Sequence, residues 1–88
     1  MSHIVTKSGF EIDIDASVMD DMEVFELIVK IDKGEVTELP ALLSLIFTPE
    51  QKKALYEHCR NDAGRVPISA VSNEFAEILG GLKDAEKK

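Results

Sequence analysis

The residues best suited to chemistry in this sequence are His3, His58 and Cys59, its only imidazole and thiol side chains. A structural zinc site needs four ligands at motif spacing, and the chain has no Cys-x-x-Cys pair. Adjacent residues of a helix point in different directions, so we expect His58 at the surface and Cys59 in the core. The sequence therefore predicts no metal site. A single cysteine cannot form an internal disulfide, which is typical of a protein in a reducing compartment.

Other patterns that carry chemistry are incomplete. Asp13-x-Asp15 resembles the start of a calcium loop, but the sixth position of that loop is Val18 and not the glycine it requires. The hydrolase motif G-x-S-x-G and the glycine-rich loop that holds phosphates are both missing. The carboxylates are expected on an exposed face, where paired acid–base catalysis lacks a sheltered pocket. We predict that the protein is not an enzyme and uses no cofactor.

Negative charge is concentrated in the first half of the chain. The sequence has 10 Lys and Arg against 17 Asp and Glu, and residues 1–44 hold 10 of the acids with only 3 bases. An acidic protein lacks the basic surface that phosphates require, so nucleic acid is not an expected partner. The longest apolar stretch, residues 39–47, is too short to span a bilayer, so a soluble protein without a membrane partner is expected.

The acids closest together in the sequence form a candidate acidic patch, which consists of Glu11, Asp13, Asp15, Asp20, Asp21, Glu23 and Glu26. The patch is either a solvated face that keeps the protein in solution, or a surface that selects a basic partner. A second copy of the chain offers such a partner through a candidate basic counter-patch of Lys52, Lys53, Arg60 and Arg65. The second interpretation predicts self-association that weakens with added salt.

The elements that must position these residues begin with a hairpin. Apolar residues from Phe10 to Ile14 alternate with acids, which is typical of a half-buried strand, and Ser8-Gly9 is a two-residue turn signal before them. We predict a β-hairpin over residues 3–15. A two-stranded hairpin is not stable alone, so it must pack on other elements.

The pattern that follows predicts four helices and a disordered polar tail, over residues 18–33, 38–47, 49–61, 68–81 and, for the tail, 83–88. The segment 48–51 is the strongest start signal, because it combines an N-cap threonine, a proline and a capping-box glutamine. Ser17 with Asp20 is expected to cap the first helix, and Gly34 to end it. The predicted fold class is α+β, mostly α. It is a single domain over residues 1–82, with a short N-terminal hairpin packed on a compact bundle of about four helices.

The first predicted helix has an unusually wide apolar arc. The stripe expected to face the core consists of Val18, Met22, Phe25 and Val29. With so wide an arc, the helix is either central in its own fold or binds another protein with its second side. Adaptable methionine and off-stripe side chains give a candidate partner groove, which consists of Met22, Val24, Leu27, Ile31, Leu45 and Phe47. The alternative is that these residues complete the core.

The order of several short segments resembles a known family. These segments are Phe10-Glu11-Ile12-Asp13, Asp20-Asp21-Met22-Glu23-Val24-Phe25-Glu26, Phe47-Thr48-Pro49-Glu50-Gln51, Arg60-Asn61-Asp62-Ala63-Gly64-Arg65-Val66 and Glu77-Ile78. Together they span about residues 10–80 and are similar to the tail assembly chaperone family of long-tailed (siphovirus-type) bacteriophages and prophages of Gram-positive bacteria. The ordered set carries the resemblance, since no single segment is diagnostic.

The resemblance implies a non-enzymatic role in tail morphogenesis. Chaperones of this family bind the tape measure protein, keep it in solution and help to recruit the tail tube protein. They act in the cytoplasm of the bacterial host and are absent from the mature virion. Because many copies are needed to coat one long partner, weak self-association is expected. No binding motif of the family can be assigned to particular residues here.

Two other functions fit the sequence. A small regulatory or inhibitory protein would mimic nucleic acid with the acidic patch and bind a basic target. A structural subunit retained in the virion is the other. Substitution separates the chaperone from the mimic, because Leu27→Asp would disrupt a groove and charge reversal would disrupt a mimic.

Overall fold

A computed structural model describes residues 1–86 of the chain. Its hairpin and four helices are β1 (Ser2–Val5), β2 (Glu11–Ile14), α1 (Met22–Asp32), α2 (Leu39–Ile46), α3 (Pro49–Cys59) and α4 (Ile68–Glu86). Short 3-10 helices, Ala16–Asp20 and Val36–Glu38, precede α1 and α2. The predicted α+β, mostly α fold class is confirmed. Within the described range, no helix combines the length and the apolar character needed to cross a membrane.

The alternating residues of the hairpin give it one buried and one exposed face. β1 and β2 are antiparallel, and Ile4 lies opposite Ile12 on the buried face. Gly9 has φ +95° and donates its amide hydrogen to the Thr6 carbonyl at 3.0 Å. The loop therefore has three residues, with glycine in the left-handed conformation at its end, and not the two of the Ser8-Gly9 signal.

One hydrophobic core unites the hairpin with all four helices. Leu55 of α3 and Ile78 and Leu82 of α4 have no exposed surface. Phe47, which follows α2, meets Phe75 of α4 edge to face, with 5.9 Å between the ring centroids. Aromatic pairs favour this geometry, and the contact ties the end of α2 to the longest helix.

Helix α1 begins later than the sequence predicts. Its N-cap is Asp21, whose carboxylate accepts hydrogen bonds from the amides of Glu23 and Val24 at 2.8 and 3.3 Å. The predicted cap at Ser17 is wrong, and that residue lies inside the preceding 3-10 helix. Asp21 succeeds because its extended backbone aims the side chain at the unpaired amides of the first turn.

Two other predicted helix signals are confirmed by their hydrogen bonds. Gly34 follows α1 at φ +99°, and its amide donates to the Ile31 carbonyl at 2.9 Å. At the start of α3, Thr48 and Gln51 form a reciprocal capping box, with bonds of 3.2 and 3.0 Å. Both arrangements satisfy backbone groups that a helix end leaves unpaired.

Helix α4 continues through Glu86. The predicted disordered tail is therefore wrong for residues 83–86, and its remaining residues, 87–88, lie outside the described range. The sequence Gly80-Gly81 lies within this helix, although glycine disfavours helical backbone. The helix continues past it because fully buried Leu82 holds the next turn against the core.

Candidate partner-binding groove

An apolar groove of about 370 Å³ opens between α2, α3 and the N-terminus of α4. Its floor consists of the buried side chains Leu39, Leu43 and Val71. Its rim consists of Val36, Thr37, Pro40, Tyr56, Val66 and Ile68. Val36 and Ile68 are 52% and 69% exposed, so the apolar surface continues outward past the edge of the groove. Such a surface favours the binding of apolar side chains of another molecule.

The α3 wall of this groove is basic. Lys52 lies one helical turn before Tyr56 on the same side of α3, and Arg60 directly follows the end of the helix. The Lys52 ammonium is 5.9 Å from the centre of the Tyr56 ring and donates a hydrogen bond to Ser44 Oγ at 2.9 Å. Arg65 directly precedes a rim residue in the chain. The wall favours a ligand with acidic groups beside its apolar face.

The four residues of the basic counter-patch differ in whether their charged groups already contact an acceptor in the same chain. Arg60 donates to the Glu57 carboxylate at 2.8 Å and to the Gly64 carbonyl at 2.6 Å, so its guanidinium is already engaged. The same contact holds the pKa of Glu57 below its usual value. Lys53 and Arg65 are exposed, and among residues 1–86 neither has a carboxylate within ion-pair distance. These two and Lys52 supply the available positive charge.

The structure does not bring the six residues of the candidate partner groove together. Val24 and Phe47 belong to the core, with 2% and 4% of their surface exposed. The prediction is therefore corrected for these two residues, which complete the core as the alternative interpretation held. They are unavailable to a partner because their side chains already pack against the helices of their own fold.

The other four residues of that set lie in separate places. Leu27 and Ile31 are half-buried against the core. Met22 and Leu45 are 68% and 47% exposed, but they lie on different helices, α1 and α2. Of the four, Ile31 alone lines a cleft shared with α4, a smaller one of about 150 Å³.

The face of α1 that packs against the core is opposite to the apolar stripe that the sequence predicts. Its buried side contains Val24 and the half-buried residues packed beside it, whereas Phe25 is 57% exposed. The α1 outer stripe consists of Met22 and Phe25, which are exposed, and the half-buried Val29, which follows them on the same side of the helix. The first two of these line a shallow cleft of about 340 Å³ together with Met19, Asp20 and Asp21.

All seven residues of the acidic patch are exposed, and two of them hold the hairpin together. Across the outer face of the hairpin, His3 contacts Asp13 through Nδ1 at 2.7 Å and Glu11 through Nε2 at 3.0 Å. These hydrogen bonds, first that to Asp13 and then that to Glu11, raise the pKa of His3. Both carboxylates therefore act as cross-strand partners of an imidazolium.

Two further acids of the patch are helix caps. Asp15 accepts a hydrogen bond from the Ser17 amide at 3.0 Å, which lowers the pKa of Asp15, and Asp21 caps α1 as described above. The remaining three, Asp20, Glu23 and Glu26, lie at the surface around the first turns of α1. The part of the patch that remains for a partner is therefore concentrated beside the α1 outer stripe.

A cluster of polar side chains lies where the hairpin loop meets α3 and α4. Ser8 Oγ is 2.8 Å from His58 Nε2, and both Ser8 and Thr6 donate hydrogen bonds to Glu74 Oε1 at 2.7 Å. In a hydrolase triad the carboxylate binds the second imidazole nitrogen, whereas Glu74 binds the serine itself. The cluster therefore fixes the loop to the helices and lacks the arrangement that activates a nucleophile.

Cys59 lies next to this cluster and is half-buried. Burial, and to a smaller extent the nearby charge of Glu74, raise the pKa of its thiol. A protonated thiol is a poor nucleophile. In the described part of the chain, no group of three or more His, Cys, Asp or Glu side chains is placed to hold a metal ion.

The sequence does not predict the groove, because much of its rim comes from connecting segments. Val36 and Val66 lie outside the α-helices, where periodicity assigns no face. As the first residue of α4, Ile68 projects into solvent, although it lies one turn before the buried Val71 on the same helix. The sequence signal that could have indicated the groove is the presence of apolar residues in the short connections between helices.

No protein-family model, curated protein or solved structure matches this chain. A functional interpretation therefore depends on the apolar groove, its basic wall and the resemblance of the sequence segments.

Proposed function

We propose that this protein is a non-enzymatic assembly chaperone whose groove between α2, α3 and α4 binds an amphipathic helix of a long partner. The apolar groove carries the proposal, because it has a buried floor and an exposed apolar rim. In helix-in-groove recognition, apolar side chains about one turn apart enter such a groove while the polar side of the helix stays in water. A chaperone that covers these side chains would keep its partner in solution.

The resemblance to tail assembly chaperones of long-tailed bacteriophages supports a particular partner. On this proposal the groove binds the tape measure protein, and the chaperone helps to recruit the tail tube protein. It acts in the cytoplasm of the bacterial host and leaves before the virion is complete. Weak self-association, as expected for a protein that coats a long partner in many copies, belongs to the same proposal.

Co-expression tests this function. The chain would be produced with the long coiled-coil protein encoded just downstream, followed by affinity pull-down and gel filtration. We expect the partner to become soluble only with this chain, and the two to elute together. If the partner stays insoluble and nothing co-elutes at low salt, the proposal is wrong.

A matched pair of substitutions assigns the binding to the groove. Ile68→Asp places a charge on the rim at a position that is 69% exposed, so folding should be preserved while partner binding is lost. Val5→Asp makes the same kind of change on the outer face of the hairpin, at 58% exposure, and should leave binding unchanged. Equal binding by both variants would place the partner elsewhere.

The exposed acids near α1 support a second candidate function, inhibition of a basic target by mimicry of nucleic acid. Asp20, Glu23 and Glu26 form its surface. Replacing Glu23 and Glu26 with Lys would abolish binding by a mimic, whereas Ile68→Asp would not affect it. The chaperone predicts the opposite dependence on Ile68, so the two variants distinguish the functions.

A further inference from the structure

The α1 outer stripe has the form of a helix that binds in a groove. Met22 and Phe25 lie one turn apart and are 68% and 57% exposed, and Val29 continues the stripe one turn further on. Glu23 and Glu26 are exposed acids of the same turns, and exposed Asp20 lies just before the helix. The stripe is therefore an apolar ridge with negative charge beside it, carried by a helix whose other side packs in the core.

The groove has the complementary chemistry. Its floor and rim are apolar, and its α3 wall has the Lys52 ammonium beside the Tyr56 ring. Lys53 and Arg65 add exposed positive charge on α3 and in the chain beside the rim. This wall favours an apolar helix face with acids next to it, and the α1 outer stripe is such a face.

We infer that α1 of a second copy occupies the groove, and that the partner helix of the proposed function must displace it. The competition with the partner rests on the proposed function; the contact between copies stands without it. The stripe and the groove share no residue, so the contact is heterologous and leaves one free stripe and one free groove at the ends of each oligomer. With two or three anchoring side chains, it is a weak contact that a longer partner helix can replace.

Sedimentation of the full chain over a range of concentrations tests the contact. The wild type should form dimers and longer oligomers that dissociate between about 50 mM and about 500 mM salt, because opposite charges face each other. Phe25→Asp places a charge in the middle of the α1 outer stripe, and Ile68→Asp places one on the rim of the groove. Each should weaken association about tenfold or more, as expected for loss of an anchor residue. Val5→Asp, also on an exposed apolar residue, is the control and should associate like the wild type.

Mixing the two defective variants is the decisive measurement. Phe25→Asp keeps an intact groove and Ile68→Asp keeps an intact stripe, so an equal mixture should form one-to-one dimers at concentrations where each variant alone is mainly monomeric. Circular dichroism melts check that both variants fold. If either variant does not fold, two charge-reversed variants take their place in the same mixing experiment. One carries Glu23→Lys and Glu26→Lys, and the other carries Lys52→Glu and Lys53→Glu.

Three results would overturn the inference: a wild type that is monomeric at every concentration, variants that associate like the wild type, or a mixture that stays monomeric. Binding to the partner of the proposed function is measured separately. Phe25→Asp should still bind the co-expressed coiled-coil protein, and added coiled-coil protein should dissociate wild-type oligomers. If oligomers form and recover by mixing but no variant binds that protein, the contact between copies stands and the proposed function fails.

Discussion

Single residues in this fold differ in importance according to burial, even where their side chains are identical. Leu55 of α3 has no exposed surface, whereas Leu45 of α2 is 47% exposed. We expect Leu55→Ala to lower the free energy of unfolding by about 2–4 kcal/mol, because it leaves a cavity in the core, and Leu45→Ala by less than about 1 kcal/mol. Urea denaturation of both variants measures the difference. Equal losses would mean that the two environments are alike.

His3 gives the hairpin a pH dependence whose direction follows from its raised pKa. The contacts with Asp13 and Glu11 favour the imidazolium, so the folded pKa lies above that of the unfolded chain. This stabilising contribution is complete below the unfolded pKa and is lost as the pH rises through the folded pKa. The stability advantage of the wild type over His3→Gln should therefore shrink as the pH rises above 6.5, the usual pKa of histidine.

Proton NMR of the His3 ring checks the same prediction at the site. Its titration midpoint should lie above the usual value for histidine, and it should fall when Asp13 is replaced by Asn. A midpoint that does not respond to Asp13→Asn would contradict the hydrogen bond as the main cause of the shift. The exposed position of the contact means that added salt should also lower the midpoint.

At the scale of elements, adjacent glycines in α4 have different surroundings. An added Cβ at Gly80 would meet nothing within 4 Å, whereas one at Gly81 would be 2.8 Å from Cδ1 and 3.2 Å from Cγ2 of Ile4. Gly80→Ala should therefore stabilise the protein by about 0.5–1 kcal/mol, because alanine favours helix. Gly81→Ala should stabilise it less or destabilise it, since the Ile4 side chain must shift. Thermal unfolding of the pair compares them, and equal stabilisation would mean that the hairpin does not pack closely on α4.

Local sequence signals predicted the elements more accurately than their orientation. The hairpin and the capping box of Thr48 follow from neighbouring residues, and both are found in the structure. The orientation of α1 does not, because apolar residues surround most of the helix and the choice depends on what α2 and α4 offer. The apolar stripe consequently predicts Phe25 in the core, although the structure leaves it 57% exposed. The groove was missed for the same reason, since its rim exists only once distant segments pack together.

The whole molecule combines a strong negative charge with an apolar groove that has a basic wall. Most acids lie in the first half of the chain, around the hairpin and α1, while the bases beside the groove, Lys52, Lys53 and Arg65, lie in the second half. Within one copy this separation leaves like charges close together. Between copies, or between the protein and a ligand, it provides attraction. The same charge distribution therefore opposes folding and favours association.

Salt should consequently change stability and self-association in opposite directions. With a net charge of −7 and with Asp20, Glu23 and Glu26 exposed near one another, the folded state gains when sodium chloride screens repulsion. At low protein concentration, the urea midpoint should rise from about 20 mM to about 500 mM salt, equivalent to a few tenths to about 1 kcal/mol. The variant with Glu23→Lys and Glu26→Lys has less repulsion to screen and should show a smaller rise. If salt lowered the stability of the wild-type monomer, attraction within the fold would dominate, and the acids around α1 would be partners of their own chain and not a surface offered to another.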